Sequence, residues 1–185
     1  LPESSFDLLK AKQLLAEAGY PNGFSMNIWA MPVQRPYNPN AQKMAELLQS
    51  DLAKIGVKAQ IVSFEWNAFR RKLREGEHDS VLLGWSADNA DPDNFFRPLL
   101  SCPAAISGSN RANWCDDKFD QLIASALLTT DQQQRRSYYL AAQQYLQQQM
   151  PLVPLAHSKK FQVQNQQIHQ VTVNPYGGIS FAQAI

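Results

Sequence analysis

Apolar and polar positions change period in a regular order along the first half of the chain. Leu8, Ala11, Leu14, Leu15 and Ala18 fall near one face at helical spacing and Gly19 offers a left-handed stop, which predicts a short helix over 7–18. Residues 24–30 alternate apolar with polar and predict a strand. Asn40 is a candidate N-cap for a helix over 41–55, with Met44, Leu47, Leu48 and Leu52 toward the core and Gly56 ending it. A strand over 57–64, a basic amphipathic helix over 66–74 stopping at Gly76, and a third strand over 79–84 complete a β-α-β-α-β order. That order predicts parallel strands joined by right-handed crossovers. Ligands of open parallel sheets lie beyond the carboxyl ends of the strands. The loops bearing Arg35, Glu65-Trp66 and Asp88 are therefore expected to converge.

The second half reads differently. Helices are predicted over 116–127 and 131–149, the latter opening with an Asp131 to Gln134 capping-box pattern. Glutamine runs at 132–134 and 147–149 lie within the periodicity of Tyr138, Ala142, Tyr145 and Leu146, and read as a solvated helix face. The apolar stretch 151–156 fits a buried strand or an extended connection. From Phe161 onward, short alternating segments and the turn-rich run 174–178 predict a β-rich tail. There is no internal repeat.

Composition narrows the classes. A chain of 185 residues, 44% hydrophobic and 18% charged, is long enough for a sizeable core and has the make-up of a globular domain, here with a short appendage. The net charge of +1 provides no strong overall field toward nucleic acid or an anionic membrane. No apolar run approaches the roughly 18 to 20 residues that span a bilayer. Leu1 begins without a charged segment and apolar core, so the expectation is a chain cleaved, truncated or never exported. Cys102 and Cys115 stand 13 positions apart in a segment rich in Pro, Gly, Ser and Asn. The spacing suits a disulfide in an oxidising compartment; two free thiols in a cytosolic protein are the other reading.

Two charged residues carry the candidate chemistry. Arg35 sits in a loop with Pro32, Pro36 and Pro39, which restrict the backbone, and its planar fork can take a carboxylate bidentately. Asp88 leaves the third strand signal in the run Gly84-Trp85-Ser86-Ala87-Asp88, where a carboxylate can receive an ammonium group. One fixed cation and one fixed anion suit a zwitterion. The plainer alternatives are a surface ion pair for Arg35 and a cap or turn for Asp88, the role read for Asp91 and Asp93. Trp85, and less directly Trp66 and Tyr37, can wall an apolar pocket or serve as ordinary packing. The acidic run 88–94 lacks the glycine at loop position six and the glutamate at position twelve of an EF-hand, the latter being Leu99, so no metal site is expected. His78, His157 and His169 have no ligand-like spacing, and no nucleophile, base and oxyanion hole assemble.

Several of these segments carry a resemblance in their order. The loop 30–40, Met44-Ala45-Glu46-Leu47-Leu48, Ile55-Gly56-Val57, Glu65-Trp66, Gly76-Glu77-His78-Asp79, the run 83–96 and Phe96-Arg97-Pro98-Leu99-Leu100-Ser101-Cys102 together resemble the C-terminal part of extracytoplasmic solute-binding proteins, family 5, of peptide/nickel ABC transporters. The similarity runs over nearly the whole chain, nearest to the dipeptide-binding and Sap-type branches, whose members are much longer.

The resemblance implies an α/β fold, the C-terminal lobe of a type II periplasmic-binding-protein fold with a parallel-rich sheet flanked by helices and a short β-rich tail. It implies a lobe over 1–159, incomplete at its start, and a tail over 160–185 returning to the other lobe. It further implies a periplasmic, disulfide-bonded, non-enzymatic receptor without cofactor or metal. Its partners would be a small peptide and an ABC transporter permease, with no nucleic acid and membrane association only through the permease. Arg35 would take the peptide's C-terminal carboxylate and Asp88 its N-terminus, with Trp85 as a wall and the Gly84-Trp85 backbone pairing with the extended ligand. Charges that hold both termini would measure an extended dipeptide, about 3.3 to 3.6 Å per residue. A Sap-type antimicrobial-peptide or haem receptor is the alternative within the family. A stand-alone interaction module or a cell-wall peptide enzyme is the alternative of another class.

Overall fold

The computed structural model describes residues 6–159, 161–169, 171–174 and 176–180. The chain divides into two compact units after Gly84.

The first unit opens with α1 (Leu8–Glu17), whose N-cap Asp7 accepts from the Lys10 amide. Its predicted inner face is only half-covered: Leu8, Ala11 and Leu15 are partly buried, while Leu14 is 51% exposed. β1 (Ser25–Trp29), α2 (Ala41–Ala53), β2 (Lys58–Val62), α3 (Trp66–Glu75) and β3 (Ser80–Val81) follow. β1 lies centrally, parallel to β2 and β3 in the order β2-β1-β3, with Ser25 opposite Lys58 and Ile28 opposite Ser80. Ile28 and Trp29 point to opposite faces of the sheet and both are buried, so β1 is covered on both faces.

The predicted third strand contracts to two residues. At its start Asp79 clasps β1: its carboxylate accepts from the backbone and side-chain amides of Asn27, and the Asp79 amide donates back to Asn27 Oδ1 at 3.0 Å. Beyond Leu82, whose amide donates to the Trp29 carbonyl, the chain leaves the ladder.

The predicted caps hold. Asn40 accepts from the Lys43 amide, and Gly76 ends α3 in the left-handed conformation. α2 differs in one position. Ala41, Ala45, Leu48 and Leu52 form its inner face, with Met44 beside them, whereas Leu47 lies well round the helix and is 62% exposed. The turn after α2 packs backbone on backbone: a Cβ on Gly23 would fall 2.0 Å from the Gly56 carbonyl oxygen, and both glycines have positive φ.

The second unit is helical. α4 (Asp93–Leu100) and α5 (Cys102–Ser107) occupy a stretch for which the sequence predicts no helix, and α6 (Asp117–Leu128) and α7 (Gln132–Gln149) pair beside it. Phe96, Leu100, Phe119, Ile123, Ala126, Tyr139 and Ala142 form its core. Asp116 and Asp131 cap α6 and α7. The capping box at Asp131 is one-sided, because Gln134 Oε1 accepts instead from the Thr129 hydroxyl at 2.9 Å.

A disulfide joins Cys102 to Cys115. It ties the start of α5 to the approach of α6, where the Cys102 amide also donates to the Asp120 carboxylate. Burial pushes that carboxyl up, helped by Asp116 and Asp117, against the pull of the Cys102 amide. Asn110, fully buried, donates to the carbonyls of Ser101 and Trp114 at 3.2 and 2.8 Å and closes the same region.

The apolar stretch 151–156 is an extended, largely exposed connection rather than a buried strand, with Val153 65% exposed. β4 (Thr172–Val173) and β5 (Ile179–Ser180) pair antiparallel. Residues 160, 170, 175 and 181–185 of the expected tail lie outside the described residues. Among the described residues, no helix is long and apolar enough to cross a membrane.

Candidate functional site

In the first unit, the loop after β1 is braced by its own backbone. Arg35 and Asn38 exchange two N–H···O bonds of 3.1 and 3.0 Å, and the buried Asn38 side chain accepts from the Asn40 amide. Arg35 is thereby held half-buried with its guanidinium 4.7 Å from the centre of the Trp66 ring. Trp66 in turn stacks on the fully buried Phe69 at 5.8 Å. Such a platform fixes a cation without neutralising it. Among the described residues of this unit, no carboxylate lies within ion-pair distance of Arg35. Glu65, next to Trp66, is engaged in capping α3 through the amides of Asn67 and Ala68.

Tyr37 completes the arrangement. Burial pushes its phenol up, and the Arg35 charge opposes that shift. Its ring lies against Gly84, where a Cβ would meet Tyr37 Cδ2 at 2.3 Å. Arg35, Tyr37, Trp66 and Gly84 thus belong to one cluster, although their positions in the sequence span some fifty residues.

In the second unit, the loop 85–92 runs into α4. Asn94, the second residue of that helix, is the organising group: its Oδ1 accepts from the Trp85 indole N–H at 3.3 Å and from the Asp88 backbone amide at 3.0 Å. The Asp88 carboxylate is exposed and forms no ion pair with the described residues of this unit.

The neighbouring carboxylates have other tasks. Asp91 accepts from Arg135 Nη2 at 2.9 and 2.7 Å and from the Asp93 amide, while Arg135 Nε donates to the Ala126 carbonyl. Burial pushes the Asp91 carboxyl up, but the Asp93 amide, Arg135 and Tyr139 outweigh it and leave the group below its ordinary value. Asp93, nearly buried at the start of α4, pairs with Arg97. The turn and cap roles read for Asp91 and Asp93 are thus joined by arginine partners that spacing could not indicate. Trp85, Asp88, Asp93, Asn94, Arg97 and Ser101 help line an open depression of about 410 Å³.

Comparison with known proteins identifies the family. The family described as bacterial extracellular solute-binding proteins, family 5 (middle part), matches residues 1–107. The chain belongs to that family. It is 47% identical over 173 residues to the dipeptide-binding protein of Escherichia coli strain K12, covering 94% of this chain and 32% of that protein. It is 44% identical over 176 residues to heme-binding protein A of Haemophilus influenzae, covering 95% of this chain and 32% of that protein. Among solved structures, the dipeptide-binding protein of Pseudoalteromonas sp. SM9913 in complex with Met-Leu superposes with a TM-score of 0.86 at 57% identity, over 97% of this chain and 35% of that one. The chain therefore spans about a third of the length of the relatives it matches, and its α/β architecture is that of part of a periplasmic binding protein.

The expectation of Arg35, Gly84, Trp85 and Asp88 as site residues rested on residue type, position after a strand, and resemblance. Asn94 is not among those residues, because nothing local distinguishes it from Asn89 in the same acidic run or shows that its oxygen gathers two donors.

Proposed function

We propose that this chain is the C-terminal lobe of a periplasmic peptide receptor that delivers dipeptide-like ligands to an ABC importer. The observation that carries the reading is the 57% identity to a binding protein solved with Met-Leu, combined with two charged groups that have no ionic partner among the described residues of their own units. Residues 1–159 would form the lobe, and 160–185 would return to the rest of the receptor.

In this reading Arg35 receives the ligand's C-terminal carboxylate. A guanidinium backed by Trp66, beside the Tyr37 phenol and with no carboxylate neighbour among the described residues of its unit, retains N–H donors for a bidentate bond. Asp88 receives the N-terminal ammonium, Trp85 faces an adjacent ligand side chain, and the side-chain-free Gly84 lets a ligand backbone approach. The chain performs no chemistry on the peptide. It needs no cofactor, and the permease is its protein partner.

The test uses the full-length protein and Met-Leu in free, N-acetylated and C-amidated forms, measured by calorimetry. Removing one partner of a desolvated charge pair costs on the order of 2 to 5 kcal/mol. Arg35→Ala should weaken free Met-Leu by roughly 30-fold or more and leave the amide unaffected. Asp88→Ala should penalise free peptide and spare the acetylated form. Unchanged affinities in folded variants would reject the assignment.

The 44% identity to a heme-binding protein supports a second reading, a haem or Sap-type receptor. Mass spectrometry of ligand released from the purified protein separates the two.

A further inference from the structure

We propose that Asn94 is the positioning residue of the ligand-binding loop, setting Trp85 and Asp88 at once through a single carbonyl oxygen. The inference rests on the reading that Asp88 meets the ligand's ammonium group.

Both hydrogen-bond partners of Asn94 Oδ1 are donors, the Trp85 indole N–H and the Asp88 amide. The two lone pairs of an amide oxygen match two donors, so the orientation of the Asn94 side chain follows from its surroundings. Among the described residues of its unit, the Asp88 carboxylate has no ion pair to hold it. Its position is inherited from the backbone, and that backbone is tied by its own amide to Asn94.

The anchor itself is rigid. Asn94 belongs to α4, whose Phe96 and Leu100 are core residues of the second unit. Four residues separate Asp88 from α4, and they are secured separately through Asp91 and Arg135. The loop is thus pinned on both sides of Asn89 and Ala90, leaving Asp88 little freedom except about its own side-chain bonds. Pre-setting a charged group in this way removes the ordering cost that ligand binding would otherwise carry.

Loss of this anchor should act chiefly on the ligand's N-terminus, with a smaller effect at the ligand side chain that Trp85 faces. In full-length protein, Asn94→Ala should weaken free Met-Leu about tenfold and change N-acetyl-Met-Leu by less than about twofold. Asn94→Leu, which keeps the branched shape and removes the acceptor, should give the same pattern. In protein labelled with 5-fluorotryptophan, the Trp85 fluorine resonance, assigned through Trp85→Phe, should move in both variants. It should return in Asn94→Asp, which restores an acceptor oxygen.

Equal weakening of both peptides would mark a general structural role and overturn the proposal. So would an unchanged preference for the free amine in Asn94→Ala and Asn94→Leu while Asp88→Asn abolishes that preference. An unchanged preference in Asp88→Asn itself would instead overturn the assignment of Asp88, and this proposal with it.

Discussion

Gly84→Ala isolates the contact between the segment that follows β3 and the arginine loop. The added Cβ would lie 2.3 Å from Cδ2, 2.6 Å from Cγ and 3.0 Å from Cβ of Tyr37, where carbon atoms normally rest about 3.5 to 4.0 Å apart. Gly84 does not have positive φ, so alanine meets no backbone penalty and the whole effect is steric. The ring must move by about 1 Å or more, since overlap of this size cannot be absorbed by small shifts. It is poorly placed to do so: the Tyr37 backbone lies within the doubly hydrogen-bonded Arg35–Asn38 turn, and its hydroxyl rests on Met31 Sδ at 3.9 Å. Overpacking of this kind costs about 1 to 3 kcal/mol.

The assay is urea unfolding of the 185-residue chain followed by tryptophan fluorescence, in a double-mutant cycle with Tyr37→Ala. With a slope of about 1 to 3 kcal/mol per molar urea, Gly84→Ala should lower the midpoint of the first unit by about 1 M at mid-range values of both quantities. On the Tyr37→Ala background the same substitution should be nearly neutral, giving a coupling of about 1 to 3 kcal/mol. A penalty that persists undiminished without the ring would refute the steric account, and so would the absence of any penalty in the single variant.

Two further outcomes follow from the second unit. Reducing the Cys102–Cys115 bond, or replacing both cysteines by serine, should destabilise that unit by about 3 kcal/mol on the loop-entropy model for a closed segment of about 15 residues; a Trp114 fluorescence transition unmoved by reductant would contradict it. The depressed carboxyl of Asp91 gives a pH signature, because a group whose native pKa lies below its ordinary value of 3.8 contributes stability above that value and loses it as pH falls through the native one. The midpoint difference between wild type and Asp91→Asn should therefore stay flat from about pH 7 to about pH 5 and shrink in more acid solution. With Asp91 37% exposed, its size should be about 1 kcal/mol or less, and a difference that grows on acidification would show the sign to be wrong.

Much of the first unit was legible in the sequence because its signals are local. Period, cap residue and glycine stop each act over a few neighbouring residues, and together they placed α2, α3 and the parallel β1-β2 pair to within a few positions. Local signals fail where a residue's partner is distant. Leu47 has the spacing of a core residue, but Ala41 and Ala45 are the buried contacts of α2, and β3 ends early because the chain leaves the ladder once the Leu82 amide has reached the Trp29 carbonyl. α4 and α5 were hidden by Pro, Ser and Gly in a segment where packing of Phe96, Leu100 and Ala104 outweighs weak helix propensity. The candidate site divides the same way. Arg35 and Asp88 could be named from charge and from their place after strands, since those are properties of single residues. That Trp66 underlies Arg35, that Arg135 reaches back 44 positions to Asp91, and that one oxygen of Asn94 holds both Trp85 and Asp88 are relations between side chains, and only the packed chain decides which groups come within hydrogen-bonding reach.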